Sequence, residues 1–93
     1  MRTQQHASIL NHSKCQKAVK KVLVQLDNGE GKSADRDQKA ANLWTVKLNK
    51  KKRLFIAEID GVRYLLLIDE LHNYNKSLPI AIREMQKIVN ANT

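Results

Sequence analysis

Cysteine is almost absent from this 93-residue sequence, in which Cys15 is the only one. A disulfide within the chain is therefore impossible, and small secreted domains of this length usually depend on disulfides. Cys15 lies on the apolar face of a predicted helix, where no neighbouring residue would activate a thiolate. We therefore expect a buried structural thiol in an intracellular protein.

Long apolar runs are also absent, since no stretch approaches the roughly 20 residues that a membrane-spanning helix needs. The N-terminal segment MRTQQHASIL lacks the apolar core of a signal peptide. We therefore expect a soluble, cytoplasmic protein.

Several catalytic and ligand-binding motifs are missing as well. The sequence has no glycine-rich phosphate loop, no Cys/His zinc spacing and no Ser/His/Asp signature. His6 and His12 form no metal-binding pattern with His72. Asp69 and Glu70 are adjacent, so on a strand they would point to opposite faces, which disfavours a paired-carboxylate site. We expect neither a metal nor an organic cofactor.

Positive charge is what the sequence has in excess. The chain has 17 lysine and arginine residues against nine aspartate and glutamate residues, which gives a net charge of +8. The length predicts a single domain over residues 1–93, and a hydrophobic fraction of 42% is typical of a folded one. The charge favours a polyanionic partner: nucleic acid, an anionic membrane surface or an acidic protein. A surface that only keeps the protein soluble is the alternative.

Helical periodicity appears at both ends of the chain. Ser13 can cap a first helix, which the glycines at positions 29 and 31 would end. A shorter helix is expected over residues 34–42, and a closing helix from Pro79. The first helix has an apolar stripe made of Cys15, Ala18, Val19, Val22, Leu23 and Leu26.

Between the helices the period changes to two, which predicts strands over residues 43–48, 54–59 and 62–68. Asp60–Gly61 predicts a type I′ hairpin turn, because both central positions need a positive φ. The run Leu65–Ile68 is apolar on both faces and predicts a central strand covered on both sides.

These elements predict an α+β fold. An N-terminal helix or helix pair would pack on a small antiparallel sheet, a three-stranded meander, and a C-terminal helix would follow. Ala7–Leu10 is either a fourth, N-terminal strand or a lead-in turn, and the sequence leaves this open.

A cluster of basic residues falls on two of these strands and their connections. It would neutralise phosphates and give RNA affinity that is independent of base sequence. The alternative is an edge strand and loop that lysines protect against aggregation. The predicted phosphate-binding residues are Lys47, Lys50, Lys51, Lys52 and Arg63.

A second group of residues has the chemistry for RNA cleavage. Attack by the RNA's own 2′-hydroxyl needs a base, an acid and a cation near one phosphate, and no metal. Arg53, His72, Tyr74 and Lys76 offer these groups. Arg53 opens the second strand, and the antiparallel third strand ends at the same end of the sheet, just before His72. Alternatively, the histidine and tyrosine are only turn and packing residues.

With its preceding helix pair, the segment LWTVKLN…RLFIAEIDGVRYLLLI…HNYNKS resembles the RelE/ParE superfamily of small bacterial toxins over residues 14–77. By this resemblance Arg53 matches the arginine that opens the family's middle strand. His72 and Tyr74 match polar residues that act on the scissile phosphate in the RNA-cleaving branch, usually on messenger RNA in the ribosome. Lys47 and Lys50–Lys52 would hold the RNA backbone.

The resemblance implies a toxin of a type II toxin–antitoxin system: a metal-independent endoribonuclease that blocks translation and is neutralised by an antitoxin protein. The sequence departs from the family in two ways. The family opens with a clear strand, and its closing helix is shorter than the one predicted here. Two other functions stay open, a noncatalytic RNA- or nucleotide-binding module and a gyrase inhibitor like the ParE branch.

Overall fold

The structure is a computed structural model that describes residues 2–6, 9, 13–28, 37–70 and 74–91. This part of the chain has the predicted α+β class. In chain order its elements are β1 (Arg2–Gln5), α1 (Gln16–Asp27), β2 (Asp37–Ala40), β3 (Leu43–Lys47), β4 (Lys52–Ile59), β5 (Val62–Glu70) and α2 (Tyr74–Ala91), with a 3₁₀ turn at Ser13–Cys15 leading into α1.

One mixed sheet contains all five strands, in the order β1-β5-β4-β3-β2. Neighbours from β2 to β5 are antiparallel, whereas β1 runs parallel to β5. The sheet is therefore larger than the predicted sheet of three antiparallel strands. The additional strands, β1 and β2, lie at its two edges.

The prediction of a second helix over residues 34–42 is wrong where the structure describes it, because residues 37–40 form β2. Residues 34–36 of that prediction lie outside the described residues. A tight turn at Ala41 and Asn42 leads into β3, and Asn42 has a φ of 64°. Asparagine tolerates this left-handed conformation better than most residues. Pairing with β2 satisfies backbone groups that β3 would otherwise leave at an open edge.

The two helices cover opposite faces of the sheet, which gives a three-layer arrangement. Val19 and Val22 of α1 pack with Leu65 on one face, which we call the α1 side. Ala81 of α2 packs with Leu66 on the other, the α2 side. Adjacent residues of β5 thus belong to opposite cores, which confirms that this strand is covered on both faces.

The N-terminal strand lies earlier than the predicted candidate at residues 7–10. β1 spans Arg2–Gln5 and pairs with Val62–Leu65 of β5. Of the predicted range only Ile9 is described, and it is fully buried in the core on the α1 side.

The hairpin between β4 and β5 is the one that the sequence predicts. Asp60 has a φ of 51° and Gly61 a φ of 77°, and Ile59 pairs with Val62 across the turn. Both φ values are those of a type I′ turn. A methyl group at Gly61 would meet no atom within 4 Å, so the backbone conformation, and not a lack of space, favours glycine here.

The closing helix α2 begins at Tyr74, earlier than the predicted start at Pro79. Proline has no N–H to donate to the carbonyl of Asn75, so one helical hydrogen bond is missing near the start of α2. A tertiary contact holds this turn instead: the buried hydroxyl of Ser77 donates to the carboxylate of Asp69 on β5. Within the described residues, neither helix is long and apolar enough to cross a membrane.

Candidate nucleic-acid interface

Lys47, Arg53 and Asp69 form a row across three neighbouring strands. Lys47 pairs with Arg53 between β3 and β4, and Arg53 pairs with Asp69 between β4 and β5. Directly opposed residues of antiparallel strands project from the same face. Asp69 contacts α2, so the row lies on the α2 side of the sheet. Lys47 and Arg53 are both exposed to solvent.

The hydrogen bond between Ser77 and Asp69 places the start of α2 beside this row. The Asp69 side chain is buried, and its strand neighbour across the sheet is Arg53. Lys76, the residue before Ser77, is exposed. The first turns of α2 therefore bring Lys76 to the end of the sheet where Arg53 lies.

The loop between β3 and β4 adds two more cations at this end of the sheet. Lys50 and Lys51 are exposed at its tip. The loop is held by hydrogen bonds from the Leu48 N–H to the Lys52 carbonyl, at 2.9 Å, and from the Lys51 N–H to Asn49 Oδ1, at 2.8 Å. We call Lys47, Lys50, Lys51, Arg53 and Lys76 together the basic end.

Lys52 belongs to a different surface from its neighbour Arg53. Its ammonium lies 3.6 Å from Cys15 Sγ, in the turn that leads into α1, and 3.9 Å from a carboxylate oxygen of Glu70. Alternation along β4 explains the difference, since successive side chains project from opposite faces. Lys52 was predicted to bind phosphate, but in this structure it joins α1 to the end of β5.

Arg63 was predicted as a phosphate contact, and the structure does not bring it to the basic end. It pairs with Glu58 next to the Asp60–Gly61 turn, at the opposite end of the sheet. Its side chain is only 5% exposed, and its Nη1 donates to Asp27 Oδ1 at 2.8 Å. Arg63 therefore joins the end of α1 to β5 and presents no exposed cation to a phosphate.

Two of the predicted catalytic residues lie wholly or partly outside what the structure describes. His72 lies outside the described residues, in the link between Glu70 and Tyr74. The backbone of Tyr74 forms the first residue of α2. Their part in RNA cleavage stays a prediction.

Comparison with known proteins gives this chain no relative. No protein-family model, no curated protein and no solved structure matches it.

The arrangement of charges decides what the basic end can do chemically. Its lysine and arginine side chains are exposed, while the nearby carboxylate of Asp69 is buried against a hydroxyl donor. Glu70 projects from the other face, as its ion pair with Lys52 requires. The α2 side of this end therefore presents cations to solvent, and these attract phosphate groups through charge alone. Among the described residues, no group of three or more histidine, cysteine or acidic residues has the geometry of a metal site.

The contact between Asp69 and Ser77 is the feature of this region that the sequence did not predict. They are eight positions apart, and nothing in the local pattern marks them as partners. Because side chains alternate along a strand, Asp69 and Glu70 were predicted to lie on opposite faces of the sheet. The structure confirms this, since Asp69 is 2% exposed, whereas the Glu70 side chain is 64% exposed. A buried carboxylate at the end of an apolar strand needs a donor, and only the fold shows that Ser77 supplies it.

Proposed function

We propose that this protein is a RelE-like endoribonuclease toxin that binds RNA at the basic end and cleaves it without a metal. The observation that carries the proposal is the row formed by Lys47 and Arg53, with the start of α2 and Lys76 beside it. It gathers cations from β3, β4 and α2 at one end of the sheet. A single phosphate in contact with Arg53 would have further lysines around it for the adjoining backbone.

In the proposed reaction the RNA supplies its own nucleophile. The 2′-oxygen attacks the adjacent phosphorus while a base removes its proton, and the bond from phosphorus to the 5′-oxygen breaks as an acid protonates the leaving oxygen. The products are a 2′,3′-cyclic phosphate and a 5′-hydroxyl. Arg53 and Lys76 stabilise the negative charge that grows on the phosphoryl oxygens. His72 and Tyr74 would serve as the base and the acid.

One feature of the fold supports the resemblance and another weakens it, since residues 37–40 form β2 and not the second helix of the predicted pair. The opening strand that the family has, and that residues 7–10 offered only weakly, is present as β1 at Arg2–Gln5. The other departure persists, since α2 has 18 residues and is longer than the family's usual closing helix. An antitoxin partner would neutralise the protein by covering the basic end.

The test is cleavage of single-stranded RNA by the purified protein, with the product ends identified by mass spectrometry. We expect 2′,3′-cyclic phosphate ends, formed equally well in the presence of a metal chelator. Arg53→Ala should lower the single-turnover rate by roughly 100-fold, the usual effect of losing one group that stabilises transition-state charge.

Arg83→Ala is the matched control, because Arg83 is an exposed arginine on α2 outside the basic end. It should cleave like the wild type. An Arg53→Ala protein that keeps the wild-type rate would refute the catalytic role. RNA binding without any cleavage would point to the noncatalytic binding module.

A further inference from the structure

The outer face of α1 carries a lysine cluster that the proposed cleavage reaction does not use. It consists of Lys14, in the 3₁₀ turn before the helix, and Lys17, Lys20 and Lys21 within it. All four are exposed. With about 3.6 residues per turn, the three lysines within α1 span roughly 100° of its circumference, opposite the buried valines of the same helix. We call these four residues the α1 lysine face.

The α1 lysine face costs helix stability. Lys17 and Lys21 are four residues apart, where two like charges repel. The first turn of α1 has no acidic residue to offset the positive end of the helix dipole. The first acidic residue in the whole sequence is Asp27, so no carboxylate precedes it to pair with these lysines along the helix. Such an arrangement is expected where an anionic partner supplies the missing charge.

The α1 lysine face and the basic end lie on opposite sides of the sheet. Lys47 and Arg53 are on the α2 side, whereas α1 covers the other face. The two surfaces meet where Lys52 contacts Cys15, next to the loop that carries Lys50 and Lys51. A second stretch of polyanion can therefore lie on α1 while a first occupies the basic end.

The composition of this face indicates the kind of polyanion. Residues 13–28 contain no aromatic side chain on which an unpaired base could stack. Lysines that repeat along one face of a helix can contact successive phosphates of a double helix. A membrane surface fits less well, because the apolar face of α1 is used in the core and Val24 is the large apolar residue of α1 that is exposed.

We propose that the α1 lysine face is a second RNA-binding surface, which holds the phosphate backbone of double-stranded RNA while the basic end acts on an adjoining single strand. The inference rests on the proposed function for the role of the basic end. Binding to the duplex can be measured whether or not the protein cleaves RNA, so either proposal can be refuted while the other stands.

The experiment uses the full chain and a blunt, fluorescently labelled RNA duplex of about 16 base pairs, the length that double-stranded RNA modules typically span. Fluorescence anisotropy gives Kd over a range of salt concentrations. The variant K14Q/K17Q/K21Q should bind the duplex at least 10-fold more weakly. The association constant of the variant should also depend less on salt. The magnitude of the slope of log K against log salt concentration should be smaller by about 2 to 3, close to 0.9 for each phosphate that the variant no longer neutralises.

The control variant R2Q/R83Q/K87Q removes the same number of exposed positive charges from other surfaces. It should keep most of the duplex affinity and salt slope. Both variants are compared by circular dichroism and thermal unfolding. If the wild type cleaves short single-stranded RNA, K14Q/K17Q/K21Q should cleave it at the same rate.

Equal losses of duplex affinity in the two variants would overturn the proposal, since net charge alone would then account for binding. Wild-type affinity in K14Q/K17Q/K21Q would also overturn it. Binding to vesicles of phosphatidylcholine with phosphatidylserine is measured in parallel. If K14Q/K17Q/K21Q lost vesicle binding but kept its duplex affinity, the proposal would also be overturned, because the surface would then serve a membrane.

Discussion

At the scale of single residues, neighbours in sequence have separate roles because strands alternate. Arg53 is exposed on the α2 side with Lys47, whereas Lys52 points to α1 and contacts Cys15 and Glu70. Asp69 is buried against Ser77, while the adjacent Glu70 is exposed. Of two adjacent residues with the same sign of charge, one thus supports the fold and the other is exposed on the surface.

Asp69→Ala should lower the free energy of unfolding by about 1 to 3 kcal/mol, because the buried Ser77 hydroxyl would lose its acceptor. Urea unfolding monitored by circular dichroism measures this. Glu70→Ala is the control: its side chain is largely exposed, and its ion pair with Lys52 should contribute less than about 1 kcal/mol. Equal effects of the two substitutions would contradict a structural role for the Asp69–Ser77 hydrogen bond.

Arg63→Ala should affect stability and not RNA binding. The guanidinium is buried, but Asp27 is half-exposed, so we expect a loss of the order of 1 to 2 kcal/mol. RNA affinity, measured by anisotropy at fixed salt, should stay at the wild-type value, because Arg63 lies at the opposite end of the sheet from the basic end. A drop in RNA affinity with unchanged stability would indicate that Arg63 does contact a phosphate.

At the scale of elements, the error over residues 34–42 shows what local patterns miss. The sequence predicted a short helix there, but residues 37–40 form β2 because β3 has an edge to which it can pair. A four-residue strand has little periodicity of its own, so pairing decides its structure. The start of α2 has the same explanation, since a bond to Asp69 fixes the turn before Pro79.

The turn between β2 and β3 gives a test of this element. Asn42 has a φ of 64°, which a β-branched residue adopts only with strain. Asn42→Val should therefore lower stability by about 1 to 2 kcal/mol, the cost of a left-handed conformation. Asn42→Gly should be close to neutral in thermal unfolding. Similar melting temperatures for the two variants would show that this conformation is not needed in solution.

At the scale of the whole molecule, the net charge of +8 is distributed over distinct surfaces. The basic end takes its cations from β3, the β3–β4 loop, β4 and α2, and the α1 lysine face lies on the other side of the sheet. Phosphate contacts release counterions, so each surface should have its own salt dependence. Total charge predicts attraction to a polyanion, and its distribution predicts where the polyanion lies.

Neutralising Lys47, Lys50 and Lys51 together should weaken binding of single-stranded RNA. The magnitude of the slope of log K against log salt concentration should decrease by about 2, close to 0.7 for each phosphate left without its lysine. Anisotropy titrations with a short unstructured RNA measure it, with R2Q/R83Q/K87Q as the charge-matched control. An unchanged slope would show that the RNA contacts residues outside the basic end.

The sequence by itself determined the α+β class, the first helix, the Asp60–Gly61 hairpin and the doubly covered strand, because each depends on periodicity or turn chemistry within a few residues. It also placed Arg53 at the start of a strand whose antiparallel partner ends beside it. The tertiary structure decided the edge strands β1 and β2, the helices on opposite faces, the burial of Arg63 and the bond between Ser77 and Asp69. These features depend on pairing and burial between residues distant in sequence, and no local pattern contains that information.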